Sequence, residues 1–183
     1  MNKILCIPKY KVSYNNGYTI QKSDPYIKHG SDFLLLEKYK DFKLFYRIIP
    51  FLIFECNELY LVNEYENKKY TLNICNPDEY IMDSISMNPI KDNIDQHIKK
   101  YVLKSKVSYD KIKYIGAIKS TLNNPNDLVF LYIKRIETQD DIIKKKYSNN
   151  YKWYNLEELI NKARRFDSFS LEYINYLIGL KIK

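Results

Sequence analysis

The chain is 183 residues long, carries a formal charge of +8, and is 45% hydrophobic. That is enough apolar material for one domain with a full core, and it excludes a disordered chain. No apolar run reaches the roughly 18 residues of a membrane span, and Met1 to Ile7 is too short and weakly apolar for a secretory signal, so a cytoplasmic protein without membrane association is expected.

In chain order, residues 1 to 30 mix polar and aromatic residues around turn signals at Asn15-Asn16-Gly17 and Asp24-Pro25, which suits a hairpin-like extension. Ser31 to Tyr46 has an ambiguous period. Ile48 to Phe54 is a buried strand, with Pro50 placing it near a strand start or sheet edge. Asn57 and Glu58 turn the chain into a second strand, Leu59 to Val62, and Lys69 to Ile74 alternates as a third. Asp92 caps a helix to Lys104 whose apolar stripe is Ile94, Ile98, Tyr101 and Val102. Ile112 to Ile118 and Leu128 to Ile136 are strands joined by the turn Asn123-Asn124-Pro125-Asn126. Asn155 caps a helix from Leu156 to Ala163, and Ser168 or Ser170 caps a last one carrying Leu171, Ile174, Leu177 and Ile178. This order predicts an α/β fold, a mixed sheet flanked by helices.

Three segments carry a resemblance. Ile48-Ile49-Pro50-Phe51-Leu52-Ile53-Phe54 followed by Leu59-Tyr60-Leu61-Val62 resembles the opening hairpin of Nudix hydrolases. Tyr70-Thr71-Leu72-Asn73-Ile74 is similar to the strand leading into their glycine-rich turn. Trp153-Tyr154-Asn155-Leu156-Glu157-Glu158-Leu159 is similar to their late tryptophan and Glu-Glu-Leu signature. The resemblance is to bacterial Nudix-like proteins of phosphoesterase type, and it implies a Nudix-like domain over 45–183 with an N-terminal extension, 1–44, packed on it.

The family's defining box is where the likeness fails. Its glutamates hold Mg²⁺, because a hard cation takes oxygen ligands and helical spacing projects them to one face. Here residues 80 to 136 contain no glutamate, and no glycine lies between Gly30 and Gly116. Aligning the apolar stripe puts Tyr101, Lys104 and Ser105 at the glutamate positions and Lys100 at the arginine position. A lysine there repels a metal ion. The resemblance with these departures implies a degenerate box, a catalytically inactive pseudoenzyme, no catalytic residue, no metal and no cofactor.

Lys99, Lys100, Lys104 and Lys106 on or beside that helix, with Lys111, Lys113 and Lys119 following, form a basic face, and Lys144, Lys145 and Lys146 with Tyr147, Tyr151 and Lys152 interleave bases with aromatics. Such patterns suit phosphate contact and base stacking on nucleic acid, while a solvated lysine face is the plainer account. A basic chain with 19 tyrosines favours a nucleic acid or nucleoprotein partner, although AT-rich codons also enrich Asn, Ile, Lys and Tyr. His29 and His97 lack metal-ligand spacing, and Cys6, Cys56 and Cys75 form neither a CxxC pair nor a disulfide framework. Three readings stay open. The first is an inactive Nudix-fold binding protein acting on nucleic acid or a nucleoprotein, in character a phage or mobile-element inhibitor of a host nuclease. The second is a divergent hydrolase of a nucleoside diphosphate-linked substrate, with acids relocated among Glu55, Glu58, Glu64, Glu66, Glu79 and Glu137 or the Asp78, Glu79, Asp83 cluster. The third is a protein–protein interaction module, since tyrosine is favoured at interfaces.

Overall fold

The two longest apolar runs of the sequence become neighbouring strands. In the computed structural model, which describes residues 3–20, 32–37, 43–64, 69–75, 90, 94, 112–119, 125–139 and 150–181, β4 (Phe45–Cys56) and β7 (Asp127–Arg135) run parallel, from Arg47 opposite Asp127 to Glu55 opposite Arg135. A strand covered on both faces needs apolar residues at every position, which is why these runs show little alternation. Side chains still alternate between two cores. Leu52, Phe54, Leu128, Phe130 and Tyr132 face one core together with Ile90 and Ile94. Phe51, Ile53, Val129, Leu131 and Ile133 face the other, together with Leu159, Phe166, Tyr173 and Ile174. Burial of each such phenylalanine or leucine contributes about 2–3 kcal/mol, so this strand pair anchors both cores.

Among the described residues, eight strands form one mixed sheet. The others are β1 (Lys3–Pro8), β2 (Gly17–Ile20), β3 (Leu34–Glu37), β5 (Leu59–Asn63), β6 (Lys113–Lys119) and β8 (Tyr151–Tyr154). Their order is β2-β6-β7-β4-β1-β3, with β5 on the end of β4 and β8 beside β5. Every pair except β4–β7 is antiparallel. Asn57 and Glu58 join β4 to β5 at φ 50° and 63°, the two left-handed residues of a tight hairpin turn. The β6–β7 ladder shifts register at a bulge between Tyr114 and Gly116. A Cβ at Gly116 would overlap the Thr19 carbonyl oxygen and stand 2.9 Å from the Tyr18 ring, so only glycine admits this approach.

The first segments do not pair as a hairpin with each other. Leu5, Cys6 and Ile7 are fully buried, and β1 enters the sheet interior between β3 and β4 while β2 joins β6. An isolated two-stranded ribbon could not bury those side chains. The ambiguous stretch from Ser31 resolves, where described, into β3 and the start of β4.

The expected third strand, Lys69 to Ile74, is reduced to single bridges at Tyr70 and Thr71. Beyond them the segment meets β4 through one backbone bond, from Ile74 N to the Leu52 carbonyl at 3.0 Å, and through the side chain of Asn73. The Asn73 amide accepts from Leu52 N (3.0 Å) and donates to the Pro50 carbonyl (3.4 Å). In a strand a residue's N–H and C=O point to the same side, so the N–H that Pro50 lacks would also have faced this gap. Pro50 is thus tolerated inside a central strand because, on the side of β4 away from β7, it meets a side chain and not another strand.

Of the helix expected from Asp92, Ile94 is described; it is helical and fully buried, as is Ile90 just before the expected start. The rest lies outside the described residues. Helix α1 (Leu156–Asn161) opens with the expected Asn155 cap, in a full capping box with Glu158, and ends two residues early in the tighter turn Ala163–Arg165. Helix α2 (Ser168–Lys181) is capped by Asp167 and not by a serine. Asp167 Oδ1 accepts from Phe169 N and Ser170 N, both at 2.9 Å. Ser170, fully buried, instead accepts from Leu72 N (3.0 Å) and donates to Asp167 Oδ2 (2.7 Å), which ties α2 to the irregular segment.

Candidate functional site

Helical spacing on α2 gathers one face of side chains. Tyr173, Tyr176, Leu177 and Leu180 stand at i, i+3, i+4 and i+7 and project over the outer part of the sheet. Below them β2 supplies Tyr18 and Ile20, two residues apart and therefore on the same face. The β4–β5 hairpin adds Glu55, Glu58 and Tyr60, and the neighbouring strands add Lys113 and Arg135. These elements enclose a cleft of about 840 Å³, on the face of the sheet opposite Ile90 and Ile94.

The walls of the cleft are aromatic. The Tyr18 and Tyr176 rings lie 4.4 Å apart, Tyr18 meets Tyr173 edge-on at 6.2 Å, and Tyr60 meets Tyr173 edge-on at 6.5 Å. Burial pushes the Tyr60 phenol up to about 12, with Glu55 and Glu58 adding to the rise. Burial likewise raises Tyr18 and Tyr173 above their ordinary value. All three are neutral donors at physiological pH. Tyr18 donates to the Ile115 carbonyl at 2.8 Å, which fixes its ring.

One ion pair marks the wall. Arg135 Nε donates to Glu55 Oε2 at 3.1 Å, and this bond raises the arginine's pKa further. The Glu55 side chain is 14% exposed and that of Arg135 is 78% exposed, so a sheltered carboxylate holds an exposed guanidinium in place. Lys113 and Lys181 complete three cationic groups around the cleft, against the two carboxylates Glu55 and Glu58.

Of the basic and aromatic residues singled out from sequence, Lys113, Lys119, Tyr151 and Lys152 are described; Lys113 lines this cleft and the other three do not. Tyr151 is half-buried against the core containing Ile90. Lys152 pairs with Glu64 at 2.6 Å, and Glu64 also bonds the Tyr154 hydroxyl. Lys99, Lys100, Lys104, Lys106, Lys144, Lys145, Lys146 and Tyr147 lie outside the described residues. Of the acids considered as relocated ligands, Glu55 and Glu58 come together at the cleft, Glu64 is spent on the Tyr154 network, and Glu66, Asp78, Glu79 and Asp83 lie outside the described residues. Among the described residues no group of three His, Cys, Asp or Glu could hold a metal ion. Tyr101, Lys104 and Ser105, which the resemblance sets at the metal-ligand positions, lie outside the described residues. The cleft tyrosines were missed from sequence, although the spacing of Tyr173, Tyr176, Leu177 and Leu180 was there to read.

Compared with solved structures, the chain is similar to Tm1382, a protein provisionally classed as a Nudix hydrolase. The match has a TM-score of 0.72 and 14% identity over 97% of this chain and 99% of that one. The chain has a Nudix-like fold. A C. elegans Ap4A hydrolase in a binary complex aligns with a TM-score of 0.37 and 12% identity over 72% of this chain and 98% of that one. No protein-family model matches the sequence, and no curated protein matches it. The Nudix-like sheet and closing helices are therefore established by shape, and the chemistry rests on this chain's own residues. No helix among the described residues is long and apolar enough to cross a membrane.

Proposed function

We propose that this Nudix-like protein binds without hydrolysing, and that its ligand is single-stranded nucleic acid, alone or within a nucleoprotein. The observation that carries the reading is the tyrosine-lined cleft edged by Lys113, Arg135 and Lys181. Aromatic walls accept the face of any base, and a cationic rim follows the phosphates. The glutamate-free stretch from 80 to 136 removes the usual means of holding Mg²⁺ against a diphosphate, so occupancy replaces turnover. Occupancy is also how a phage or mobile-element inhibitor of a host nuclease would act, the setting suggested by the sequence.

The test is fluorescence anisotropy with labelled single-stranded oligomers across a salt series. Three rim cations releasing about 0.7 counterion each predict a log–log slope near −2. Absence of binding at low salt, or Mg²⁺-dependent hydrolysis of nucleoside diphosphate-linked compounds, overturns the reading. Salt-insensitive association with one protein would instead favour the interaction module, for which the exposed Ile20 (60%) and Leu180 (52%) beside the cleft are the supporting observation.

A further inference from the structure

We propose that the cleft selects a guanine-type base, read on its edge by Glu55 and Arg135 and from below by the hydroxyls of Tyr60 and Tyr173. The inference rests on the nucleic-acid reading above and specifies what that site selects.

Tyr60 and Tyr173 are 9% and 3% exposed, yet both line the cleft. Neither hydroxyl bonds a protein atom among the described residues, whereas Tyr18 in the same cluster is committed to the Ile115 carbonyl. Tyrosines this deeply buried ordinarily find a partner for the hydroxyl. Two polar groups on an aromatic floor, left open toward a cavity, define where a ligand's acceptors belong.

The wall beside them has a definite polarity. Glu55 Oε2 accepts from Arg135 Nε with one of its lone pairs, which leaves its other lone pair, Oε1 and both terminal guanidinium nitrogens for a ligand. A carboxylate acceptor is therefore fixed beside guanidinium donors. The complementary edge presents two adjacent N–H donors followed by a carbonyl. Guanine has this pattern in its ring N–H, exocyclic amino group and carbonyl. Adenine offers an amino group beside a ring acceptor and no carbonyl. Uracil flanks its single N–H with two carbonyls, one of which would face the Glu55 carboxylate. Cytosine has one donor group and two acceptors. Tyr18 and Tyr176, 4.4 Å apart, give the base a face to stack on. Hydrogen bonds on the edge then supply the selectivity that stacking lacks.

The experiment compares decauridylates carrying one central guanosine, inosine or adenosine, with guanosine monophosphate as a separate ligand. The guanosine oligomer is expected to bind about tenfold more tightly than the adenosine oligomer, since one well-formed bidentate pair discriminates by that order. Inosine, which lacks the amino group, falls between them. Glu55→Gln is expected to bring the guanosine and adenosine oligomers to equal affinity, and Tyr173→Phe and Tyr60→Phe to weaken the guanosine oligomer several-fold. These phenylalanine variants keep the ring packing and supply the readout if Glu55→Gln fails to fold. Equal affinity for all three oligomers, or a preference that survives Glu55→Gln, overturns base selection and leaves strand binding standing. No salt-sensitive binding to any oligomer removes the underlying reading. Guanosine monophosphate binding as tightly as the oligomer, and equally sensitive to Glu55→Gln, supports base selection and overturns the strand as its source.

Discussion

On the side of β4 away from β7, the Asn73 side chain takes the place of a neighbouring strand beside Pro50. Its amide nitrogen donates to the Pro50 carbonyl at 3.4 Å, while its oxygen accepts from Leu52 N and Cys75 N, each at 3.0 Å. Asn73 is 6% exposed, so no solvent replaces it freely. Asn73→Ala is expected to cost about 1–3 kcal/mol in urea unfolding, because the buried Leu52 N–H loses its acceptor and the contacts to Cys75 N and the Pro50 carbonyl go with it. An effect below about 0.5 kcal/mol would mean that β4 does not depend on this contact.

Arg47 and Asp127 open the parallel pair. Arg47 Nε donates to Asp127 Oδ1 at 2.6 Å, with the aspartate side chain 3% exposed and the arginine 37%. Burial raises the Asp127 pKa, and Arg47 opposes that rise. Arg47→Met is expected to destabilise by about 2–3 kcal/mol, below the loss typical of a fully buried pair because the arginine is partly solvated. Without Arg47 the aspartate's pKa climbs further. An acid whose folded pKa lies above its unfolded value binds protons more tightly when folded, so the penalty is present above that pKa and relieved below it. The gap between variant and wild-type unfolding midpoints should therefore narrow from pH 7.5 to pH 4.5. A gap independent of pH would show that the buried charge is not the cause.

Glu58 occupies a turn position with φ 63°, where a side chain is disfavoured and glycine is not. Glu58→Gly is expected to stabilise the fold by about 0.5–1 kcal/mol, read as an upward shift of the thermal midpoint. The same side chain lines the cleft. A residue kept against local preference at a cavity edge is consistent with service to a ligand. Destabilisation by Glu58→Gly would show that the turn is built around the glutamate.

Much of the fold was legible because its signals are local or periodic. The unbroken runs in β4 and β7, the Asn57-Glu58 turn, and Asn155 with Glu158 three residues on each announce themselves within a short window. The failures come where a distant partner decides. Lys69 to Ile74 alternates like a strand, but the Asn73 side chain takes the place of part of the ladder. Ser170 has the chemistry of a cap, but Leu72 N claims its hydroxyl and Asp167 caps instead. The cleft was illegible for the same reason. Tyr18, Glu55, Arg135 and Tyr173 are scattered across the chain, and the pairing of β4 with β7, the pairing of β2 with β6 and the seating of α2 bring them together.

The sequence by itself determined the mixed sheet, its two long buried strands and its closing helices, because a strand or helix face that must be covered writes its period into consecutive residues. It also determined that 80 to 136 holds no glutamate, which composition alone can state. Only the tertiary structure decided that Glu55 holds Arg135 beside the cleft floor of Tyr60 and Tyr173. A contact across about 80 residues or more leaves no periodic trace, since its geometry is set by strand register and helix packing rather than by neighbours in the chain.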